Sequence, residues 1–379
     1  MDPSNSFFPE SFHESRQWFR DQLSHVRQHW PLSEAGSHVL RQFPDLSIDW
    51  IEATCLSTDG QMVILSSAVH GIEGLTGTAV LHRFLQSYLH QLDPAQTGLL
   101  LLHAINPWGM EHRRHTNANN VDLNRNFRFA GNGQPVFDNR AYDRLHTLFH
   151  PSRKVVDRRL ETLRFLIQLI GKILRYGVVH IRQAVLLGQL GDPQGLYFGG
   201  FEPEEENLIV WKLITSKISE YRRVIHLDIH TGYGPRGQMT LVNSIHEKHP
   251  PCDWIERFGY PRIIRADPES FYTMQGDMLD ALYLWAQQNA PHHQYFGTAF
   301  EFGTWGDGLL AQIRGLCATV LENQIYHHGA GSTSIRQRVQ EQTGELFYPS
   351  SPAWRWGVLH AADQAFNGIF TEFGLLKKA

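Results

Sequence analysis

Ser66-Ser67-Ala68-Val69-His70-Gly71-Ile72-Glu73-Gly74 decides how the rest of the chain is read. The apolar run Met62 to Leu65 feeds this stretch as a buried strand, and the chain breaks at Gly71. Apolar residues then recur at helical spacing from about Leu75 to Leu89. His70 is therefore expected at the carboxyl end of a strand, and Glu73 at the start of the next helix. In open α/β sheets that crevice is where ligands bind. An imidazole and a carboxylate three residues apart can turn toward one point there, and both are good zinc ligands. Two ligands do not make a site, so the chain must supply a third and a base.

His230 is the natural third. Val224-Ile225-His226-Leu227-Asp228-Ile229-His230 reads as a buried strand running into Thr231-Gly232-Tyr233-Gly234, the same placement as His70. A zinc held by His70, Glu73 and His230 has two nitrogens, one carboxylate and an open fourth position, the pattern of a catalytic ion. Water on such an ion becomes a nucleophile near neutral pH. Taken singly, a strand-end histidine is more often a satisfied polar group, and a helix-start glutamate a solvated one. Only the constellation changes that. Glu301, between Phe300 and Phe302 in a strand-like run, is the candidate base, because apolar neighbours raise a carboxyl pKa. In Val121-Asp122-Leu123-Asn124-Arg125-Asn126-Phe127, Arg125 offers a planar fork to a substrate carboxylate and Asn124 a further donor. Asp122 can accept the far ring N–H of a zinc histidine or simply close a turn. Arg113 or Arg114, just upstream, can hold a developing oxyanion or lie in a solvated loop.

Composition sets the bounds. The 379 residues are 42% hydrophobic and 19% charged, with a net charge of −4 and no long charge run. That suits an α/β core and leaves no electrostatic footprint for nucleic acid. Cys55, Cys252 and Cys317 form no CxxC pair, and an odd count argues against a disulfide framework. The first residues lack a basic region followed by an apolar core, and no apolar run is long enough to span a bilayer. The expectation is a cytoplasmic protein. The 22 histidines, as a count, say nothing about metal.

Residues 10 to 30 read as an amphipathic helix. Leu46 to Cys55 and Met62 to Val69 read as strands joined through Ser57-Thr58-Asp59-Gly60 in a hairpin. Leu99 to Ile105 is a buried strand stopped by Asn106-Pro107, and Arg159 to Leu190 reads as core helix with a basic face. Glu202 to Glu206 open a helix over Asn207 to Ile218, where negative charge suits the dipole. Met239 to Val242, Arg262 to Ile264 and Thr298 to Phe302 are further strands. Strands alternating with helices give an α/β fold. The organisation expected is one domain over 1–379, with an insertion near 135–200 and a C-terminal extension after about 306.

With those residues in place, the chain resembles the zinc carboxypeptidase superfamily. His70-x-x-Glu73, Asn124-Arg125, His230 and Glu301 stand in that family's order, and the resemblance runs from about residue 50 to 305. It is closest to an uncharacterised bacterial branch, on His70-Gly71-Ile72-Glu73-Gly74, Asn106-Pro107-Trp108-Gly109 and Gly195-Leu196-Tyr197-Phe198-Gly199-Gly200. It implies a three-layer α/β/α sandwich around a mixed, mostly parallel sheet. It implies zinc on His70, Glu73 and His230, Glu301 as general base and acid, and a terminal carboxylate on Asn124 and Arg125. Asp122 would back a zinc histidine, and Arg114, before Arg113, would hold the oxyanion. Tyr272 matches the substrate-capping tyrosine, which sets Leu279 where the substrate's terminal side chain is read. Two departures stand out: 157 positions separate Glu73 from His230, and the interval from Arg113 to Arg125 is short.

The expected function is a zinc-dependent hydrolase with one Zn2+ per chain, cleaving an amide next to a free carboxylate. One alternative is a deacylase of small N-acyl amino acids, like succinylglutamate desuccinylase or aspartoacylase. Another is a non-catalytic module that keeps the metal for ligand capture. The expected partner is a small peptide or N-acyl amino acid, with no nucleic acid and no membrane span.

Overall fold

Val63, Ile64 and Leu65 have no exposed surface, and a strand buried on both faces needs a sheet covered on both sides. In the computed structural model, which describes residues 6–57, 59–129, 139–266 and 275–377, this strand lies near the middle of an eight-stranded sheet. The first half of the chain gives α1 (Phe12–His29), β1 (Ser33–Leu40), β2 (Phe43–Ala53), β3 (Gln61–Ser67), α2 (Gly74–Ser87), β4 (Thr97–His103) and α3 (Pro107–Glu111). Three helices follow: α4 (Arg140–Phe149), α5 (Arg158–Tyr176) and α6 (Val178–Leu187). Next come α7 (Glu205–Glu220), β5 (Arg223–Thr231), β6 (Met239–Asn243), α8 (Pro251–Phe258), β7 (Ile263–Arg265), α9 (Met278–Asn289) and β8 (Gln294–Phe302). The described chain ends in α10 (Leu309–His328), α11 (Thr333–Phe347) and α12 (Pro352–Glu372).

The strand order is β1-β2-β4-β3-β5-β8-β6-β7. The central β4, β3, β5 and β8 run parallel, while β2 pairs antiparallel to β4 and β6 antiparallel to β8. The sheet is thus mixed and mostly parallel, in an α/β fold. From β3 the chain steps to β4 on one side and later returns to β5 on the other. The carboxyl ends of β3 and β5 therefore flank a topological switch point, the crevice where such sheets hold ligands. One face is packed by α1, α2 and α12 through Phe19, Phe84, Phe366 and Phe370. The other is packed by α7 and α9 through Val210, Ile214 and Leu282. α2 lies close on β3 because residue 77 is glycine: a Cβ there would stand 2.4 Å from that of Ser67.

A third apolar cluster joins α4, α5, α6, α10 and α11 through Phe149, Phe165, Leu169 and Leu321. It forms a helical wall over the strand ends. Gly177, at φ +81°, separates α5 from α6 within the single helical run read from sequence.

Two sequence expectations are corrected. β2 and β3 are not a hairpin, since β4 lies between them. A strand buried along its whole length belongs in a parallel core and is reached by a crossover, and this outweighs the Asp59-Gly60 turn signal. α5 is a core helix on one side only. Phe165 and Leu169 face inward, while Leu160, Leu163, Ile167, Ile170 and Leu174 form an exposed stripe. The described residues after β8 are largely helical, and α12 fills the space over α2 with Phe366 and Phe370. Among the described residues no helix is long and apolar enough to cross a membrane.

Candidate metal centre

Three strand ends deliver the central residues. β3 ends at Ser67 and His70 follows, leading into a turn of 3-10 helix, Gly71–Glu73. A Cβ at Gly71 would stand 2.1 Å from the Gly109 backbone, so only glycine lets the chain turn there. β5 carries His230 as its last residue but one, and the ladder sets His230 opposite Glu301 of β8. Four of the sequence-derived residues thus meet at one point, each on a rigid element.

Glu73 is the hub. Its Oε1 lies 3.1 Å from His70 Nδ1, and its Oε2 lies 3.4 Å from His230 Nδ1. The Thr231 amide donates to Oε2 at 2.9 Å and fixes the carboxylate. The far nitrogens of both imidazoles face buried carboxylates. His70 Nε2 is 3.3 Å from Asp122 Oδ1, and His230 Nε2 is 2.7 Å from Asp228 Oδ2. Ser66 Oγ donates to the other Asp228 oxygen at 2.6 Å. A carboxylate behind each imidazole fixes its tautomer and raises its basicity as a ligand.

These neighbours show what the site attracts. Burial pulls the His70 imidazole down, but Glu73 and Asp122 reverse this and raise it to about 9. His230 is likewise raised well above its usual value, burial being outweighed by Asp228 and Glu73. Burial works in the opposite sense on Glu73 and Asp122, yet His70 and His230 hold Glu73 low, and Arg125 and His70 hold Asp122 low. Three carboxylates around two imidazoles favour positive charge between them, whether a proton or a metal brings it. His230 Nδ1 is buried with no hydrogen-bond partner. That orphaned atom, aimed at Glu73, and the nitrogen–carboxylate donor set fit a zinc-type ion.

Glu301 is half-buried and its Oε2 has no hydrogen-bond partner. Burial pushes its carboxyl up to about 7, with His230 pulling back and Glu73 pushing further. Arg125 lines the same cavity; its Nη1 donates to the Asn124 carbonyl at 3.1 Å, while its Nε is buried without a partner. Asn124 also lines the cavity, but its amide is tied to the start of α9. Nδ2 donates to Asp277 at 2.9 Å, and Oδ1 accepts the Met278 amide at 2.9 Å. One Asn124 N–H remains for a substrate.

Neither arginine of the 113–114 pair reaches the cavity. Arg114 turns away, with Nε 3.0 Å from Glu322 and Nη2 donating to Asn120 and Asn323 at 3.1 Å each. Its guanidinium also stacks over Tyr326 at 3.5 Å. Arg113 donates to the Glu10 carbonyl. Their neighbour His115, which sequence reasoning missed, lines the cavity instead. His115 stacks on His70 with centroids 3.7 Å apart, and its Nε2 lies 3.8 Å from Glu73 Oε1. His70, Glu73 and His115 each place a ligand atom within 4.8 Å of the other two. Burial and His70 push His115 down to about 3, which keeps it neutral. Asp228 was also missed, though a carboxylate two residues before His230 in an apolar strand shares its face. Leu279 is buried on α9 and is not among the described residues that line the cavity. Tyr272 lies outside the described residues.

The cavity holds about 490 Å³. Its floor is the strand-end cluster. Its outer wall is apolar, with Leu169 and Ile173 of α5, Ile181 and Val185 of α6, and Leu316 of α10.

Solved structures similar to this chain include carboxypeptidase A from Helicoverpa armigera, 14% identical with a TM-score of 0.47, covering 89% of this chain and 73% of that one. Bovine thrombin-activatable fibrinolysis inhibitor, in complex with tick carboxypeptidase inhibitor, is 14% identical with a TM-score of 0.46, covering 83% and 95%. The succinylglutamate desuccinylase from Chromobacterium violaceum is 14% identical with a TM-score of 0.36, covering 80% and 72%. These likenesses concern the course of the chain and not its chemistry. No curated protein matches the sequence. A family model does match, over residues 8–361, and the chain belongs to that family, described as "Protein of unknown function (DUF2817)".

Proposed function

We propose that this protein is a metal-dependent hydrolase of the carboxypeptidase type, cleaving an amide bond next to a free carboxylate. The observation that carries this reading is the meeting of His70 Nδ1, Glu73 and the unpartnered His230 Nδ1 beside Glu301. A zinc-type ion held by His70, Glu73 and His230 would supply a Lewis acid that polarises a carbonyl and acidifies a water. Glu301 accepts the proton of the attacking water at Oε2 and delivers it to the leaving amine. A carboxyl pushed up to about 7 is matched to both transfers. Neutral His115 donates from Nε2 to the carbonyl oxygen as negative charge grows there, the part expected of Arg114. Arg125 holds the substrate carboxylate, and Asn124 adds its remaining N–H. Asp122 and Asp228 keep the imidazole tautomers fixed throughout.

The apolar wall favours a second reading of the same machinery, deacylation of small N-acyl amino acids. A walled cavity of about 490 Å³ suits a compact ligand with an apolar acyl group. The test is a panel of N-blocked dipeptides and N-acyl amino acids of increasing acyl length, assayed on zinc-replete wild type and Glu301→Gln. Hydrolysis that is lost in the variant supports the mechanism. A kcat/KM that rises with acyl length, with little action on dipeptides, selects the deacylase. Wild type inert on the whole panel, or a fully active Glu301→Gln, overturns the proposal and leaves the binding-module alternative.

A further inference from the structure

A second cluster of histidine and carboxylate side chains lies in the helical wall, and none of it belongs to the centre described above. His146 and His150 stand one turn apart at the end of α4, so they share a face. Asp192 comes from the loop after α6. His150 Nδ1 lies 2.7 Å from Asp192 Oδ2, and His146 Nε2 lies 2.9 Å from the same oxygen. The ligand atoms of all three residues fall within 4.8 Å of one another. The second Asp192 oxygen is held by the Gln194 amide at 3.1 Å, which fixes the carboxylate plane. On the far side of the His150 ring, Nε2 lies 3.2 Å from Nε2 of His328, the last residue of α10.

We propose that His146 Nε2, His150 Nδ1 and Asp192 Oδ2 form a second site, for a first-row divalent cation such as zinc, that ties α4 and the 189–199 loop to the end of α10. Two imidazole nitrogens and one carboxylate oxygen are a zinc-type donor set. The ion takes the place of the hydrogen bonds that link both rings to Asp192. Neutral His150, bound through Nδ1, has its one ring proton on Nε2 and donates it to His328, which gives the liganding ring the outer hydrogen bond that metal histidines have. The His146 side chain is 46% exposed, so an ion can enter from solvent while His150 and Asp192 hold the inner side.

The position explains what the ion would do. Gly188 and Gly199 flank the loop that carries Asp192, and both lie against Arg125; a Cβ at 188 would stand 3.1 Å from the Arg125 side chain. The Phe198 carbonyl accepts the Asp122 amide at 2.8 Å. An ion at Asp192 therefore steadies the loop on which two residues of the strand-end cavity rest, without touching that cavity.

The test separates this site from the first by using His70→Ala/His230→Ala as the background. Chelator-stripped protein is titrated with Zn2+, with bound metal read by elemental analysis after gel filtration and melting followed in parallel. The expected result is one equivalent of zinc on the background and a melting temperature that rises on binding. Adding His146→Ala, an exposed position with little packing to lose, should weaken zinc binding at least tenfold and remove the rise. His146→Ala in the otherwise native chain should hold one equivalent fewer than wild type, which guards against a background that folds poorly. No zinc on a folded background, or equal zinc in wild type and His146→Ala, overturns the proposal.

Discussion

The strand-end centre and the wall cluster are built from the same side chains, yet they are held differently. At the centre, His70, His230 and Glu301 leave parallel strands whose register is fixed by the ladder, and carboxylates fix both ring nitrogens. In the wall, a helix end, a loop and a second helix end bring His146, His150, Asp192 and His328 together, and only side-chain packing sets their spacing. A sheet places functional groups through its backbone, whereas a helical wall places them through tertiary contacts that a modest shift can open. The first arrangement suits chemistry that needs sub-ångström alignment, and the second suits a tie whose ligands tolerate adjustment. Arg114 belongs to the wall in this division. Its partners Glu322 and Asn323 sit one turn before His327 and His328 on α10.

The largest effect that would break this division is at Glu301. If the centre is the reacting one, Glu301→Gln should lower kcat by about a thousandfold, within the range for loss of a general base, while zinc content and melting temperature stay near wild type. An unchanged kcat would move the proton transfer elsewhere. Arg114→Lys is the next test. A lysine keeps the charge beside Glu322 but cannot reproduce the fork that also joins Asn120 and Asn323, so we expect a loss of about 1–3 kcal/mol in stability with kcat within about threefold of wild type. A native melting curve with a kcat lowered a hundredfold would return Arg114 to the reacting centre and remove His115 from it. Asp122→Asn probes the carboxylate behind His70. Zinc affinity at the centre should fall about 10- to 100-fold, the usual cost of such a partner, and the His146 site should be unaffected. Equal weakening at both sites would show that the 189–199 loop couples them.

How far the sequence alone carries the reader follows from the same contrast. His70, Glu73, His230 and Glu301 were legible because each follows or sits in an apolar run broken by glycine, and that pattern marks a strand end. The hairpin misreading of Asp59-Gly60 came from a local turn signal that the burial of β3 overrides. Arg114 and His115 differ by one position, in an irregular turn where Arg113 has φ +51°. Outside helices and strands no period says which side chain turns inward, so the arginine was named and the histidine was not. The wall cluster had one local signal, the four-residue spacing of His146 and His150. Asp192 and His328 join it from 42 and 178 positions beyond His150, and no local pattern reports such contacts.

Glu206 sharpens the comparison with the smallest effect. It is buried, though slightly less so than Glu73 and Asp122, and no imidazole faces it among the described residues. Its carboxyl receives its own backbone N–H and the Asn117 amide, the latter at 3.3 Å, and its charged neighbours Glu204 and Glu205 are of like sign. Burial, with those neighbours, pushes its carboxyl up to about 7, although it sits in the first turn of α7, where a negative charge was expected to be favoured. The folded state therefore holds a proton there that the unfolded chain has already released above about pH 4.5. The contribution to stability is full below that pH and declines as pH rises through about 7. Glu206→Gln keeps the acceptor for Asn117 and removes the titration. At roughly 1.4 kcal/mol for each pKa unit, discounted for relaxation around a charged group, the variant should be more stable than wild type by about 1–2 kcal/mol at pH 8. At pH 4.5 the two should match. Urea melts of both proteins across that range would measure the difference. A gap that does not grow with pH would mean that a cation compensates Glu206 as His70 and His230 compensate Glu73, and the distinction between paired and unpaired buried carboxylates in this fold would fall.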